Sequence, residues 1–462
     1  MGSGGKTVDR LREFLRGLTI ESRSQLIAEL ERRMLRGEHD AASDLILNEL
    51  RRLSREGREK APRYGSATRV FFEPLAPFIV DDVATRRHPG RITRSTLDQL
   101  WSFVQRDLAA DEVIRTCEVV SGALAGGDNV KAQLAVGSLH EAVATGLEEA
   151  LSADDRERRR ILAQIGTPRA DEDLVNLMRI LRMRDRLAIL ADHLPSYIAN
   201  LSDTRLSETR SLIASAAALN PDISVYAVVL VMERLNEFWQ VIRLGTSGPR
   251  GTIDNSYGSP VSIVLAELSR MIDELRTLMH SDGVGLASLM QTIHNALRGL
   301  RTELDPPADS ALARELAALR KQISELLRGE LESVPARVRR LLRPRPASEI
   351  KSRSVLDATE VADTEAAIAL VAGCRNFAGE FAVNEVTQRS YSDVQNYLDQ
   401  GVDALLDALR QADDNERSFR QSQADAAIRF CGKLFGPDYA AMLTKATEVA
   451  ATSERKPQQI GA

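Results

Sequence analysis

Apolar residues recur along most of this chain at intervals of three and four, the spacing that places side chains on one face of a helix. Val8, Leu11, Leu15 and Leu18 begin the pattern, and Leu26, Ile27, Leu30, Met34 and Leu45, Ile46, Leu50, Leu53 continue it. Glycines 17, 37 and 57 fall where such helices would stop. The stripe resumes with Leu97, Leu100, Trp101, Val104 and Leu108, with Ser95 or Thr96 placed to cap it, and then with Val136, Leu139, Val143 and Leu147. Asn220-Pro-Asp-Ile opens a segment, running through Val228, Leu235, Trp239 and Ile242 to Gly245, that is apolar on most faces and therefore predicts a buried helix. Helices are predicted over 260–280 and 285–304. Leu398, Val402, Leu405, Leu406 and Leu409 mark another, and Gly436-Pro437-Asp438 starts the last.

The pattern breaks from Arg58 to Arg94, where prolines 62, 74, 77 and 89 forbid a long regular element. The run Val70 to Asp82 inside it holds Phe71, Phe72 and Phe78 and reads as an extended apolar segment laid across a core.

Residues 312–345 carry the most distinctive pattern. Leu312, Leu316, Leu319, Ile323 and Leu326 step by 4, 3, 4, 3, which is coiled-coil spacing. Leu327, Leu331, Val334, Val338 and Leu341 repeat the stepping one register later, around Pro335. The slip and the proline predict two shorter helices. The stretch ends in a basic cluster, Arg337, Arg339, Arg340, Arg343 and Arg345, interleaved with Leu341 and Leu342. A short basic amphipathic helix of this kind reads either as a solvated or intramolecular face, for which the acidic C-terminal block offers an internal partner, or as a surface for a protein partner or self-association. It lacks the aromatic residue that would anchor it in headgroups or stack a base, so a membrane surface is a weaker expectation and nucleic acid is disfavoured.

The expected fold is all-α: multi-helix bundles joined by a heptad-patterned connecting helix, with no substantial sheet. The expected blocks are an N-terminal helical segment (1–60), a Pro/Gly-rich extended segment (61–94), a central helical domain (95–305), the heptad helix with its basic end (311–350), a C-terminal bundle (356–452) and a disordered tail (453–462). Composition agrees with helices packed by aliphatic side chains, since only 4% of residues are aromatic. At 462 residues the chain is long enough for roughly three domains. The net charge of −5 is uneven, because the residues from Leu356 onward are strongly acidic while 335–353 is basic. Arginine greatly outnumbers lysine, which fits either guanidinium recognition of oxyanions or a GC-rich coding sequence.

Several motifs fail on their neighbours. Gly2 to Thr7 resembles the end of a phosphate-binding loop but has no strand before it. His39-Asp40 is the dipeptide of helical phosphohydrolases without the upstream histidine that such a site needs. His140-Glu141 lacks a second histidine four residues on, His280 and His294 lie too far apart along a hairpin to share one metal, and Ser348-x-x-Lys351 stands without its companion elements. Cys117, Cys374 and Cys431 form no CxxC pair and read as small apolar residues of a reducing compartment. No residue is assigned to catalysis, a cofactor or a metal.

The longest apolar run, Val225–Met232, is far too short to span a bilayer, and no hydrophobic leader stands at the start, so a cytoplasmic protein is expected. The resulting expectation is a non-catalytic scaffold, adaptor or regulatory protein that binds partners through Arg337–Arg345. The alternatives are an enzyme or small-ligand binder with a pocket assembled near Trp101, Trp239 and the Gly245–Pro260 loop, or a membrane-peripheral regulator using the basic helix.

Overall fold

In a computed structural model the chain is all-α. The structure describes residues 66–452 apart from 82–88, 127, 248–251, 254–259, 280–284, 305 and 351–353, together with isolated positions between 15 and 50. Gly2–Thr7, His39, His280 and the tail from 453 lie outside the described residues. The only sheet among the described residues is two two-stranded fragments: parallel β1 (Ile79–Val80) with β2 (Ile92–Thr93), and antiparallel β3 (Thr246–Ser247) with β4 (Thr252–Ile253). The chain divides into two compact units. A middle unit holds Arg55–Glu274 and Asn295–Ser310, and a terminal unit holds Met1–Ser54, Leu275–His294 and Ala311–Ala462.

In the middle unit the helices are α1 (Ser66–Phe72), α2 (Arg94–Phe103), α3 (Ala110–Ala125), α4 (Asn129–Ser152), α5 (Asp155–Ile165), α6 (Ala170–His193), α7 (Asp203–Ala217) and α8 (Ile223–Arg234). The predicted stripe of α4 is completely buried: Val136, Leu139, Val143 and Leu147 are all at 0% exposure. Helix α8 is buried from Ile223 to Met232 except at half-buried Val225, as its mostly apolar sequence predicts. It stops at Arg234, earlier than the pattern suggests, and Leu235 is extended before a 3-10 turn over Phe238–Leu244.

The described part of the 61–94 segment differs from its expectation. From Ser66 to Phe78 it is not extended but forms α1 and a 3-10 turn, Glu73–Phe78, with Pro74 in the first turn. Phe71, Leu75 and Phe78 are fully buried, and the Phe71 ring packs 5.3 Å from Trp101. Gly90 takes φ +68°, and a Cβ there would come within 2.9 Å of Val225 Cγ1, so only glycine fits this turn against α8.

Polar groups fasten this segment to the helices around it. His140 Nε2–H donates to the Phe71 carbonyl at 2.8 Å. Burial holds the imidazole down at about 4, well below its ordinary value. Asp173 on α6 accepts from the Thr93 backbone N–H at 3.2 Å and from the Thr96 hydroxyl at 2.6 Å. The start of α2 is thus capped from another helix, and Thr93, its N-cap, makes no side-chain cap of its own. Burial raises the Asp173 carboxyl, opposed by these hydrogen bonds. Arg91, 4% exposed, bonds the Pro77 carbonyl and pairs with Glu233.

The terminal unit contains a bundle of α11 (Ala311–Leu342), α12 (Ala358–Cys374), α13 (Asn384–Gln411), α14 (Arg417–Leu434) and α15 (Pro437–Thr452), numbered after α9 (Pro260–Leu278) and α10 (Leu286–Glu303). Its helices run up, down, up, down, up. Ser324 and Glu332 of α11 meet Ala382 and Arg389, which sets α13 parallel to α11. Leu356 meets Ser422 and Glu365 meets Arg429, which sets α14 parallel to α12. The predicted stripe of α13 is buried throughout.

Helix α11 corrects the expectation of two shorter helices. It is one element of 32 residues with Pro335 inside it. The second register prevails: Leu327, Leu331, Val334, Val338 and Leu341 are all buried, whereas Leu312, Leu316 and Leu326 of the first are half-buried. Packing on both sides of the proline offsets the lost Leu331 carbonyl bond, a cost of about 3 kcal/mol in an isolated helix.

Candidate interaction cleft

The end of α11 is tied into the bundle through its backbone. The last carbonyls of a helix have no partner within it. Here Gln423 Nε2 donates to Leu341 O at 3.0 Å and to Arg343 O at 3.1 Å, and Arg420 Nη2 donates to Arg345 O at 2.6 Å. Arg420 is itself held by Glu416 at 3.1 Å. Leu341 and Leu342 are 3% and 2% exposed, so of the seven residues marked from sequence these two are core.

The five arginines divide. Arg337 pairs with Glu330 at 2.8 Å and Arg340 pairs with Glu360. Arg343 reaches Glu349 at 3.6 Å, and the Arg345 guanidinium lies over the Phe419 ring at 5.1 Å. Arg339 is exposed and lies close enough to Tyr397 to oppose the rise that burial gives that phenol.

Arg337 and Arg340 also line a cleft of about 420 Å³ within the terminal unit. Glu330, Glu360 and Asp363 share its wall with them, and Leu278, Met279, Leu286 and Leu370 supply apolar surface. The lining therefore mixes paired charges with aliphatic groups. Glu360 and Asp363, three residues apart on α12, share one helical face. Both arginines of the cleft are visible in the sequence as part of a cluster. Asp363 and the aliphatic wall are not, because no local pattern joins residues this far apart.

Two other clefts, of about 770 and 510 Å³, lie along α7 in the middle unit. Their polar groups are engaged locally: His193 Nδ1–H donates to Ile189 O at 2.7 Å, Arg205 pairs with Glu208 one turn away at 3.2 Å, and the Thr209 hydroxyl bonds Arg205 O at 2.7 Å.

The two tryptophans considered for an assembled pocket are spent on packing. Trp101 is buried against Phe71 and Phe72. Trp239 bonds Glu237 through Nε1–H at 3.0 Å, and its ring fills the space where a side chain on Gly299 would stand. The described part of the Gly245–Pro260 loop is the β3–β4 pair. His294 packs 5.4 Å from Phe377. Burial pushes the thiols of Cys374 and Cys431 up to about 12, so neither is a thiolate near neutral pH. Among the described residues no three His, Cys, Asp or Glu side chains cluster as a metal site. None of their helices is long and apolar enough to cross a membrane.

Compared with known proteins, the chain matches no family model, no curated protein and no solved structure.

Proposed function

We propose that this is a non-catalytic scaffold, adaptor or regulatory protein of the cytoplasm that works by binding other proteins. The α11–α12 cleft is the surface it uses. The observation that carries this reading is the convergence of Arg337 and Arg340 with Glu330, Glu360 and an aliphatic wall in one cleft. Exposed ion pairs of this kind contribute on the order of 0–1 kcal/mol, so an incoming chain can exchange them at little cost. Val338, Leu341 and Leu342 are buried in the bundle, which favours a protein partner over a membrane surface, since no apolar face of 337–345 is left to insert.

The test is cross-linked capture from the native cell with the full-length chain and its Arg337→Glu/Arg340→Glu variant. Reversing both charges at the cleft should change the set of partners recovered. An identical partner set from both would refute the reading. Deleting 311–346 is not a usable control, because α11 is part of the bundle core and its removal would unfold the unit.

A further inference from the structure

The geometry points to a basic partner for this cleft: a polypeptide segment that presents an arginine or lysine beside aliphatic side chains. The inference rests on the reading above and names the chemistry of the segment bound.

Taken alone, an arginine-rich helix end would favour an acidic partner. In the cleft, however, both guanidiniums are already matched, Arg337 by Glu330 and Arg340 by Glu360. The third carboxylate of the lining, Asp363, is exposed and has no hydrogen-bond or ion-pair partner among the described residues. The lining thus carries three carboxylates against two guanidiniums, and the uncommitted charge is negative. An anionic ligand would have to break an existing pair for each arginine it gained. A cation needs to break none, because Asp363 is open.

Geometry adds to the charge argument. Asp363 lies on the same face of α12 as Glu360, one turn on, so a guanidinium fork docked on Asp363 has a second carboxylate beside it. The Glu360–Arg340 pair is the more exposed of the two, with Arg340 at 65% against 32% for Arg337, and it is the one that yields most easily. Leu278, Met279 and Leu286 are half-buried beside these charges and can bury the stem of a long basic side chain or an aliphatic neighbour. At about 420 Å³ the cleft lies toward the small end of ligand-sized cavities, matching a few side chains rather than a folded domain.

The experiment is a random-peptide phage library selected on the purified full-length chain. The enriched peptide is then synthesised and its affinity measured by fluorescence anisotropy. Enriched peptides should carry Arg or Lys next to Leu, Ile, Val or Met. Asp363→Arg should weaken the synthetic peptide about tenfold or more, and Asp363→Asn several-fold. Because Asp363 is exposed and has no partner among the described residues, both variants should keep the thermal midpoint of the parent. An acidic consensus, no enrichment, or a basic peptide whose affinity ignores Asp363→Arg would overturn the inference. So would a chain that self-associates through the cleft in a manner abolished by Asp363→Arg, since the occupant would then be a second copy. An acidic consensus that is still lost in Arg337→Glu/Arg340→Glu would sink the basic-partner inference while leaving protein binding at this cleft intact.

Discussion

Three arginines of the middle unit, Arg91, Arg210 and Arg234, do different work from those at the end of α11 with the same guanidinium. They grip backbone carbonyls where helices and turns end, whereas others of that unit, such as Arg182 and Arg205, pair with surface carboxylates. Arg234 bonds Ala191 O and Leu194 O at 2.6 Å each and Pro195 O at 3.3 Å, closing the C-terminus of α6. Arg210 bonds the carbonyls of Arg243 and Thr246, and Arg91 bonds that of Pro77. At the end of α11, by contrast, Arg337, Arg340 and Arg343 point at carboxylates near the surface, while the helix carbonyls are closed by Gln423 and Arg420 of α14. A guanidinium committed to buried carbonyls is structural and resists replacement by lysine, whose ammonium is a more strongly hydrated point charge and costs more to bury. One paired with an exposed carboxylate is exchangeable and free to serve a partner. The abundance of arginine over lysine therefore has at least two structural uses here, and only the second marks a surface for function.

The largest effect expected from that contrast is at Arg234. Arg234→Ala leaves three carbonyls without their donor and should cost about 4 kcal/mol in urea unfolding. Arg234→Lys should recover less than half of it. A loss below about 1 kcal/mol for the alanine variant would erase the distinction between the two groups of arginines.

His140 sharpens the same contrast with a titration. Its folded-state value of about 4 lies below the 6.5 of the unfolded chain, so the unfolded state binds the proton first as pH falls. Stability should be full above about pH 6.5, decline as pH drops toward 4, and level off below, a loss of about 3 kcal/mol. A proton NMR titration showing the imidazole of His140 protonating near 6.5 would contradict the buried, Phe71-bonded ring.

A smaller effect is expected at Pro335. Pro335→Ala restores the N–H that Leu331 O lacks while giving up some buried contact, and should raise stability by about 1 kcal/mol. A destabilised variant would mean that the proline is required by the packing of α11 rather than tolerated by it.

Much of the fold is legible in the sequence where a single helix decides its own fate. The stripes of α4 and α13, the mostly apolar α8 and the Gly436-Pro437 start of α15 all follow from local spacing. What is not legible depends on partners far along the chain. The cap of α2 comes from Asp173, some 80 residues away, so the local candidates Ser95 and Thr96 mislead. Pro335 reads as a break, because the neighbours that override it belong to other helices. The candidate cleft divides in the same way. Arg337 and Arg340 stand out as a cluster, whereas Asp363 and the aliphatic wall of Leu278, Met279 and Leu286 carry no signal linking them to that cluster.

The most direct test of the central claim joins stability and binding in one variant. Arg337→Glu/Arg340→Glu in the full-length chain should shift urea unfolding by less than about 1 kcal/mol, since both pairs are partly exposed, yet change the set of partners captured by cross-linking. Unchanged capture with unchanged stability, or a loss of stability as large as that of Arg234→Ala, would contradict it.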